Sequence, residues 1–586
     1  MFKKISGFNL LFIIALMIIS IAPALSEVLE KGVEELKYNE EIYDTLDFDE
    51  LVSLSEDEDF YESIKDQVDF VLNNAVVDNS INQNPEINKH NEILGDYIRV
   101  ASWNIERGMN LDEIIDIFNN PSVLTDKIKK ENPKKLKSVA SEISILKNAD
   151  IIFLTEVDAG MPRTKYRKVA KEFAEAINFN YAYAVEFLEI DPAHLGLEDY
   201  KWSEERVVFG DNPPPIYKDK YRGLHGSAIL SKFPLNNVRV LRYPKVYDWY
   251  NGEKIRIGQL EKFKRITASK FFNEDIIREI RFGSRMAIIA DINIPGFKDP
   301  VTLIATHLEN RTTPHNRKKQ LQSLLKTVKE KENPVILAGD FNTATADAAP
   351  HKTKKINQKH KHFILRHCFF YNIPKHYVID PVMSIPNTLR KHDDPTVKSL
   401  PVFSSNPERG LFNLLRKFKF EDGYHFDFRS TPGKYSGRGG TLANSNKRAF
   451  KGFVATFMCQ RPLYVGKFKL DWLFVKPYIK KANCKDCSFK FAPHFGKTLF
   501  DLNYAFKESI SDHAAITVDI PLQEPVSVSK KEAKHIEKEE HRLEELEEKE
   551  YKRKKKQEKH KLHQEKDELK KEVKKNLNEE NIDDKD

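Results

Sequence analysis

At 586 residues the chain is longer than one average domain, and its composition, 40% apolar and 31% charged, is not uniform along its length. The formal net charge of +7 conceals a strong segregation of acidic and basic stretches. Past the first 26 residues no stretch is apolar enough to cross a bilayer, which excludes a polytopic membrane protein.

The chain opens MFKKISGFNLLFIIALMIISIAPALS: Lys3 and Lys4, a continuous apolar run, then Ala24-Leu25-Ser26. This is the order of a secretory signal peptide cleaved near Ser26, with an uncleaved membrane anchor as the alternative. The mature protein is expected to be soluble and exported, secreted or periplasmic. Residues 27–96 hold 21 Asp and Glu against 4 Lys, a net of −17. Helical spacing of Leu, Ile, Val, Tyr and Phe predicts a partly helical leader there, ending in the linker DNSINQNPEINKHN. Two readings of the leader stand: a helical arm packed on the next domain, or an acidic segment that masks a basic groove.

From about Tyr97 to Pro521 strand-like and helix-like segments alternate. The strands are read at IRVASW, DIIFLTE, GSAILS, RMAIIADINI, VTLIATHL, PVILAGD, KLDWLFV and HAAITVDI. KLKSVASEISILKNA, YRKVAKEFAEAINF and HNRKKQLQSLLKTVKEKE have helical periodicity. Such alternation predicts one α/β core of sheets covered by helices, with a long insertion at about 344–465 that includes HKTKKINQKHKH and GKYSGRGGTLANSNKRAFKGF. Residues 522–586 read as a charged Lys/Glu-rich tail, helical or disordered; within it residues 530–586 balance 19 Lys and Arg against 19 Asp and Glu. Given +2 in the first 26 residues and −17 in the leader, the total of +7 puts +22 on residues 97–529. That excess suits a polyanionic or anionic-surface partner. Cys368, Cys459, Cys484 and Cys487 allow three pairings in an oxidising compartment, and the spacing Cys484-Lys-Asp-Cys487 has no second pair to complete a zinc site.

The chemistry lies where the apolar runs end. RVASWNIERG ends on Asn104 and Glu106, DIIFLTEVD on Glu156, VTLIATHLEN on His307, and PVILAGDFNT on Asp340 and Asn342; KLDWLFV carries Asp471, and SDHAAITVDI opens on Asp512 and His513. Asn, Asp or a lone His at one strand end is ordinary turn chemistry. Six such endings supply oxygen ligands, amides and imidazoles but no thiolate, which points to one Mg²⁺-assisted phosphate-cleaving site, with Mn²⁺ as a substitute. Glu156 is the best principal metal ligand. Asn104 and Glu106, two apart on extended backbone, turn toward one face, where Asn104 holds the metal or a phosphate oxygen and Glu106 offers a second carboxylate to the metal. Asp340 orients a water beside Asn342, which holds a phosphate oxygen. Asp471 fixes the tautomer of His513, Asp512 faces the metal, and His307 binds the phosphate or protonates the leaving group. Arg163 in DAGMPRT and His225 are candidate phosphate contacts.

WNIERG, TEVD, THLEN, GDFNT, LDWLF and SDH occur in the order found in the endonuclease/exonuclease/phosphatase superfamily, which the chain resembles over residues 97–521. The superfamily includes DNase I, exonuclease III-type AP endonucleases, neutral sphingomyelinases, deadenylases and inositol polyphosphate 5-phosphatases. The resemblance implies a four-layered α/β/β/α sandwich and a Mg²⁺-dependent phosphoesterase with its site at one edge of two packed sheets. By motif, Glu156 is similar to the family's metal carboxylate and Asp512 to its second metal-side carboxylate. Asp340, Asn342 and His513 resemble its water- and phosphate-handling residues, with Asp471 orienting the His. Leu470-Asp471-Trp472-Leu473 departs from the Trp-Cys-Asp-Arg of 5-phosphatases, and Thr306-His307-Leu308 and Glu106 depart from AP endonucleases. GLHGSAILS resembles the entry to a central strand in secreted and sphingomyelinase-like members. No residue is identified as the counterpart of the Glu that orients the first His in DNase I. The expected substrate is a phosphoester in nucleic acid or a phospholipid head group, with no stable protein partner apart from contacts made by the tail. The alternative is a non-catalytic phosphate- or protein-binding module on the same fold.

Overall fold

The computed structural model describes residues 37–522 apart from 88, 92–94, 198, 201–208, 211, 214, 254–278, 296, 298, 344–407, 427–447, 450–451, 460–465 and 477–494. The signal segment, the tail from residue 523, most of the insertion and the four cysteine side chains therefore lie outside the described residues. Among the described residues no helix is long and apolar enough to cross a membrane.

The leader contributes strand β1 (Lys37–Tyr38), helices α1 (Phe48–Glu56), α2 (Glu58–Ser63) and α3 (Lys65–Asn73), and strand β2 (Ala75–Asp78). α1 starts at a reciprocal cap: Glu50 N–H donates to Asp47 Oδ1 and Asp47 N–H to Glu50 Oε2, each at 2.9 Å. Two amides that a first helical turn leaves without partners are thereby satisfied. The chain continues with β3 (His90–Asn91), β4 (Gly95–Arg107), α4 (Leu111–Asn119), α5 (Pro121–Glu131), α6 (Leu136–Lys147), β5 (Ile151–Ala159), α7 (Val169–Ile177), β6 (Asn180–Ile190), β7 (Leu224–Ser231) and β8 (Leu235–Arg242). Next come α8 (Trp249–Glu253), β9 (Ile280–Gly283), β10 (Met286–Ile292), β11 (Val301–His307), α9 (Pro314–Thr327), β12 (Val335–Asp340) and α10 (Arg409–Lys417). The last elements are β13 (Arg448–Ala449), β14 (Gly452–Phe453), β15 (Phe457–Cys459), β16 (Gly466–Phe468), β17 (Asp471–Lys476), β18 (Phe495–Thr498), α11 (Phe500–Tyr504) and β19 (Ile516–Pro521).

Two sheets carry the fold. The first runs β1-β2-β6-β7-β5-β4-β19-β18, with β3 added on β4 and β9 on β6; the second runs β17-β12-β11-β10-β8. Their inner faces share one buried cluster, in which Val100, Ile151, Phe153, Ile229 and Ile516 of the first sheet join Ile288, Leu303, Ile336 and Leu473 of the second. Neighbours along the same strands point the other way: Ile304 and Leu337 pack under Leu321 and Leu324 of α9 and Phe412 of α10. Ile152 and Leu154 pack under Ile114, Ile143 and Phe173 of α4, α6 and α7. A strand covered on both faces buries every residue, which is why VTLIATH and VILAGD read as unbroken apolar runs. The result is the four-layered α/β/β/α sandwich that the sequence leads one to expect.

One boundary moves. The domain start read at residue 97 is too late, because β2 pairs with β6 inside the first sheet, and Leu51, Val68 and Val71 of the leader are buried in its outer-face core. Its acids meet bases of α7 and of the segment before β7, with Asp44 at 2.8 Å from Arg222, Glu40 at 2.9 Å from Lys171 and Asp49 at 2.6 Å from Lys218. These partly exposed pairs contribute little each, so apolar burial is what holds the leader. Part of the insertion is also core, since Leu411, Phe412 and Leu415 of α10 are buried against the second sheet.

Strand direction places the site. β4 with β5, and β11 with β12, are parallel pairs, whereas β17 and β19 run antiparallel to β12 and β4. The C-terminal ends of the first four and the N-terminal ends of the last two therefore meet at one edge. Gly339 makes this close approach possible: its φ is +143°, and a Cβ there would lie 1.8 Å from Thr306 O on the neighbouring strand.

Candidate active site

Three strands are interrupted where they reach this edge. Register shifts between Asn104 and Arg107 in β4, between Thr155 and Val157 in β5, and between Val185 and Phe187 in β6. An extra residue in one strand bends it and re-aims its side chains. Glu106, Glu156 and, beyond β12, Asn342 take left-handed backbone at φ 48°, 56° and 48°. Non-glycine residues hold that conformation at a cost and concentrate at functional sites.

Asp340 sits at the centre. It is fully buried and faces His307 across the parallel register of β11 and β12, and Asp471 across the antiparallel register of β12 and β17. Its Oδ1 accepts the Asn342 N–H at 2.7 Å and its Oδ2 accepts Asn104 Nδ2–H at 3.3 Å. Both ring systems turn toward that same Oδ2, with His307 Nε2 at 3.8 Å and His513 Nε2 at 3.9 Å. His513 Nδ1 lies 2.7 Å from Asp471 Oδ2, so the Asp–His pair read from the sequence is formed. The backbone of His513 is held as well: its N–H donates to Ser511 Oγ at 3.1 Å, and its carbonyl accepts Trp103 Nε1–H at 2.8 Å.

Ligand atoms of Glu156, His307 and Asp340 lie within 4.8 Å of one another, and so do those of Asp340, Asp471 and His513. Two buried carboxylates and an imidazole with no thiolate suit a hard divalent cation. The residues present therefore fit a metal of the Mg²⁺ class, with Glu156 and Asp340 supplying the charge.

The remaining candidates spread out. Asn104 joins the cluster through Asp340, but the alternation proposed for Asn104 and Glu106 fails at the bulge. Glu106 contributes its backbone N–H to Asn104 Oδ1 at 3.1 Å, and its carboxylate belongs to neither ligand group among the described residues. Asp512 lies on the imidazole side, its Oδ1 3.9 Å from His513 Nε2, and also outside both groups. The Nδ2–H of Asn342 donates to Leu308 O at 2.9 Å. Arg163 and His225, read as candidate phosphate contacts, lie in a buried ion-pair network and in neither ligand group among the described residues. Arg163 donates to Asp158 at 2.6 Å and also pairs with Glu189, while His225 Nδ1 lies 2.8 Å from Asp158. Arg281 continues the chain to Glu189 and Glu279, and Arg107 links Glu279 at 2.5 Å back to the neighbourhood of Glu156. Burial alone would raise the Asp158 carboxyl, but Arg163 and His225 outweigh it and hold the group at about 2.

Burial, then the charge of Arg281, pushes His225 below its ordinary 6.5, against the pull of Asp158. The unfolded chain thus binds a proton that the fold excludes, so this histidine's share of stability is complete above pH 6.5 and shrinks as pH falls below it. A His225→Gln variant is expected to lose part of the acid-side decline in urea midpoint. An unchanged slope between pH 7 and 5 would refute this.

The sequence reading misses Glu186 and Arg285. Glu186, at the β6 bulge, places Oε2 3.3 Å from His307 Nδ1 and supplies the orienting carboxylate for which no counterpart was identified. Arg285, just before β10, lies 2.8 Å from the same nitrogen. Burial raises the Glu186 carboxyl, and His307 and Arg285 overcome that to hold it well below the carboxylate range. The available signal was a pair of acids, Glu186 and Glu189, inside the otherwise apolar strand NYAYAVEFLEI.

A family model described as endonuclease/exonuclease/phosphatase family matches residues 101–513. No curated protein matches the sequence. Among solved structures the chain is similar to an endonuclease/exonuclease/phosphatase from Beutenbergia cavernae, at 14% identity over 73% of this chain and 72% of that one, TM-score 0.29. It is also similar to TDP2 from C. elegans, at 13% over 80% and 83%, TM-score 0.30, and to a 3'-5' exonuclease (NExo) from Neisseria meningitidis, at 12% over 72% and 99%, TM-score 0.33. Scores this low do not favour one relative over another.

Proposed function

Because the chain belongs to the endonuclease/exonuclease/phosphatase family and is a phosphoester-hydrolysing enzyme, we propose that it is exported and cleaves a phosphodiester, in nucleic acid or a phospholipid head group, with Mg²⁺ or Mn²⁺. The observation that carries this reading is the meeting of two ligand groups on one carboxylate, Asp340. Glu156 and Asp340 would hold the cation, which when bound neutralises phosphoryl oxygens and makes a coordinated water nucleophilic. The chain's own groups then act on either side. Asp471 accepts from His513 Nδ1–H and so leaves Nε2 as the nitrogen presented to the attacking water and the phosphoryl group. His307, on the other side of Asp340, is placed to donate a proton to the leaving oxygen. The excess of +22 on residues 97–529 suits a polyanion or an anionic surface as the substrate.

Removing the metal tests the reading directly. The full chain, supplied with single- and double-stranded DNA, RNA, sphingomyelin, phosphoinositides and a bis-nitrophenyl phosphodiester, is expected to hydrolyse at least one. That activity should disappear with excess chelator and return with Mg²⁺ or Mn²⁺. Turnover that persists in chelator, or no turnover of any substrate with either ion, would refute it.

A further inference from the structure

Resting on that phosphoesterase reading, we propose that Arg242 is a positioning residue for the site: its guanidinium holds the main chain from which Glu186 and Arg285 reach His307.

Among the described residues, β6 lacks a strand partner on one side just where it carries Glu186. β2 pairs with it up to Ala184, opposite Ala75, and β9 begins to pair only at Phe187, opposite Gly283. Val185 and Glu186 lie between the two partners, and on the other side the ladder with β7 shifts register at the same point. Their carbonyls need donors from outside the sheet, because a buried main-chain acceptor left without one is costly. Arg242, the last residue of β8 in the second sheet, supplies them. Its Nη1 donates to Glu186 O at 3.1 Å and to Ser284 O at 2.7 Å, and its Nη2 donates to Val185 O and Leu72 O. The N–H bonds of one planar fork thus meet four carbonyls, a match that an ammonium on a flexible stem cannot make. Ser284 N–H adds a second donor to Glu186 O at 3.1 Å.

The clamp bears on both groups that touch His307 Nδ1. Glu186 Oε2 lies 3.3 Å from that nitrogen and Arg285 Nη1 2.8 Å from it, and the two also pair with each other at 2.5 Å. Arg242 grips the carbonyl of Glu186 itself and, at Ser284, the peptide group that leads into Arg285. A side chain is only as well placed as the backbone that carries it, and misplacing a reacting group by about 1 Å costs on the order of 100-fold in rate. The Leu72 carbonyl, near the end of α3, brings the leader into the same clamp. Leader, bulge and the turn from β9 to β10 are thereby tied at one point.

Arg242→Met keeps the apolar stem and removes the fork. In the full chain it is expected to lower kcat about 100-fold, with KM changed by less than about three-fold. On top of His307→Gln it should cost no more than about another three-fold, since its effect on turnover passes through that ring. Its crystal structure should show Glu186 Oε2 and Arg285 Nη1 displaced from His307 Nδ1. Tyr250→Phe is the comparison. Tyr250 Oη donates to Leu54 O, so this variant removes another tie to the leader without touching the four carbonyls. It should lower the urea midpoint and leave kcat unchanged. The proposal is overturned by an Arg242→Met enzyme that keeps kcat within about three-fold, or by losses that multiply with those of His307→Gln. An equal loss of kcat in Tyr250→Phe, or a variant structure with both contacts to His307 intact, would overturn it as well. Should Arg242→Met not fold, Arg242→Lys, which keeps the charge but cannot span four carbonyls, goes through the same measurements. An unaltered chain that turns over no substrate would instead defeat the phosphoesterase reading, and the variant structure would still decide on the clamp.

Discussion

Asp340→Asn is expected to lower kcat about 1000-fold while leaving the fold intact, because one carboxylate serves both halves of the site. The substitution keeps shape and volume. Oδ1 can still accept the Asn342 N–H, the contact that shapes the turn after β12. What disappears is the negative charge on the atom that faces His307 at 3.8 Å and His513 at 3.9 Å, and that lies within ligand reach of Glu156. An asparagine nitrogen in that place would turn N–H bonds toward the Asn104 Nδ2–H and the cation. Calorimetric titration with Mg²⁺ should therefore show weaker binding beside the lost turnover. Glu156→Gln removes charge from one ligand group only and should cost less in kcat. If Asp340→Asn keeps activity within ten-fold and metal affinity unchanged, Asp340 is a structural turn residue and the centre of the site lies elsewhere.

The ends of buried strands were legible, and deviations within them were not. β11 and β12 are covered on both faces, so they read as apolar runs whose first polar residue marks the exposed edge, and His307 and Asp340 are those residues. The same logic located Glu156, Asp471 and His513. It failed for Glu106, because a one-residue bulge leaves no mark in composition yet reverses which face the next side chain takes. Glu186 was hidden for a related reason: it lies inside a strand, at a bulge, with no turn residue beside it. The partners of Arg163 and His225 were not legible, because an arginine or histidine near a carboxylate-rich edge looks alike whether it meets phosphate or neutralises a buried acid. Here both meet buried acids, Arg163 with Asp158 and Glu189 and His225 with Asp158, and such pairing is set by packing. The helices of the leader followed from periodicity, but β2 is only four residues long, too short for its place in the sheet to be read.

The Asp471–His513 pair carries the second large effect. His513 is fully buried; its ring is held by Asp471 at 2.7 Å and lies against Phe457 at 5.2 Å between centres, and its backbone is held by Ser511 and Trp103. So fixed, the ring has one orientation in which Nδ1–H meets the carboxylate and Nε2 faces Asp340. His513→Ala is expected to cost about 10³- to 10⁴-fold in kcat, the loss of a positioned proton-transfer or charge-stabilising group together with its alignment. Asp471→Asn keeps a side chain of equal size, but its amide offers an N–H where the ring already donates one. The imidazole should then turn or change tautomer, at a cost of about 10- to 100-fold. Because Asp471 acts on turnover only through His513, the double variant should be no slower than His513→Ala alone by more than a few-fold. A carboxylate that merely closes a strand predicts another pattern. Asp471→Asn would then lower the urea midpoint, and its effect on kcat would multiply with that of His513→Ala. Multiplying losses in two folded single variants and a folded double variant would separate the residues and remove Asp471 from the orientation of His513.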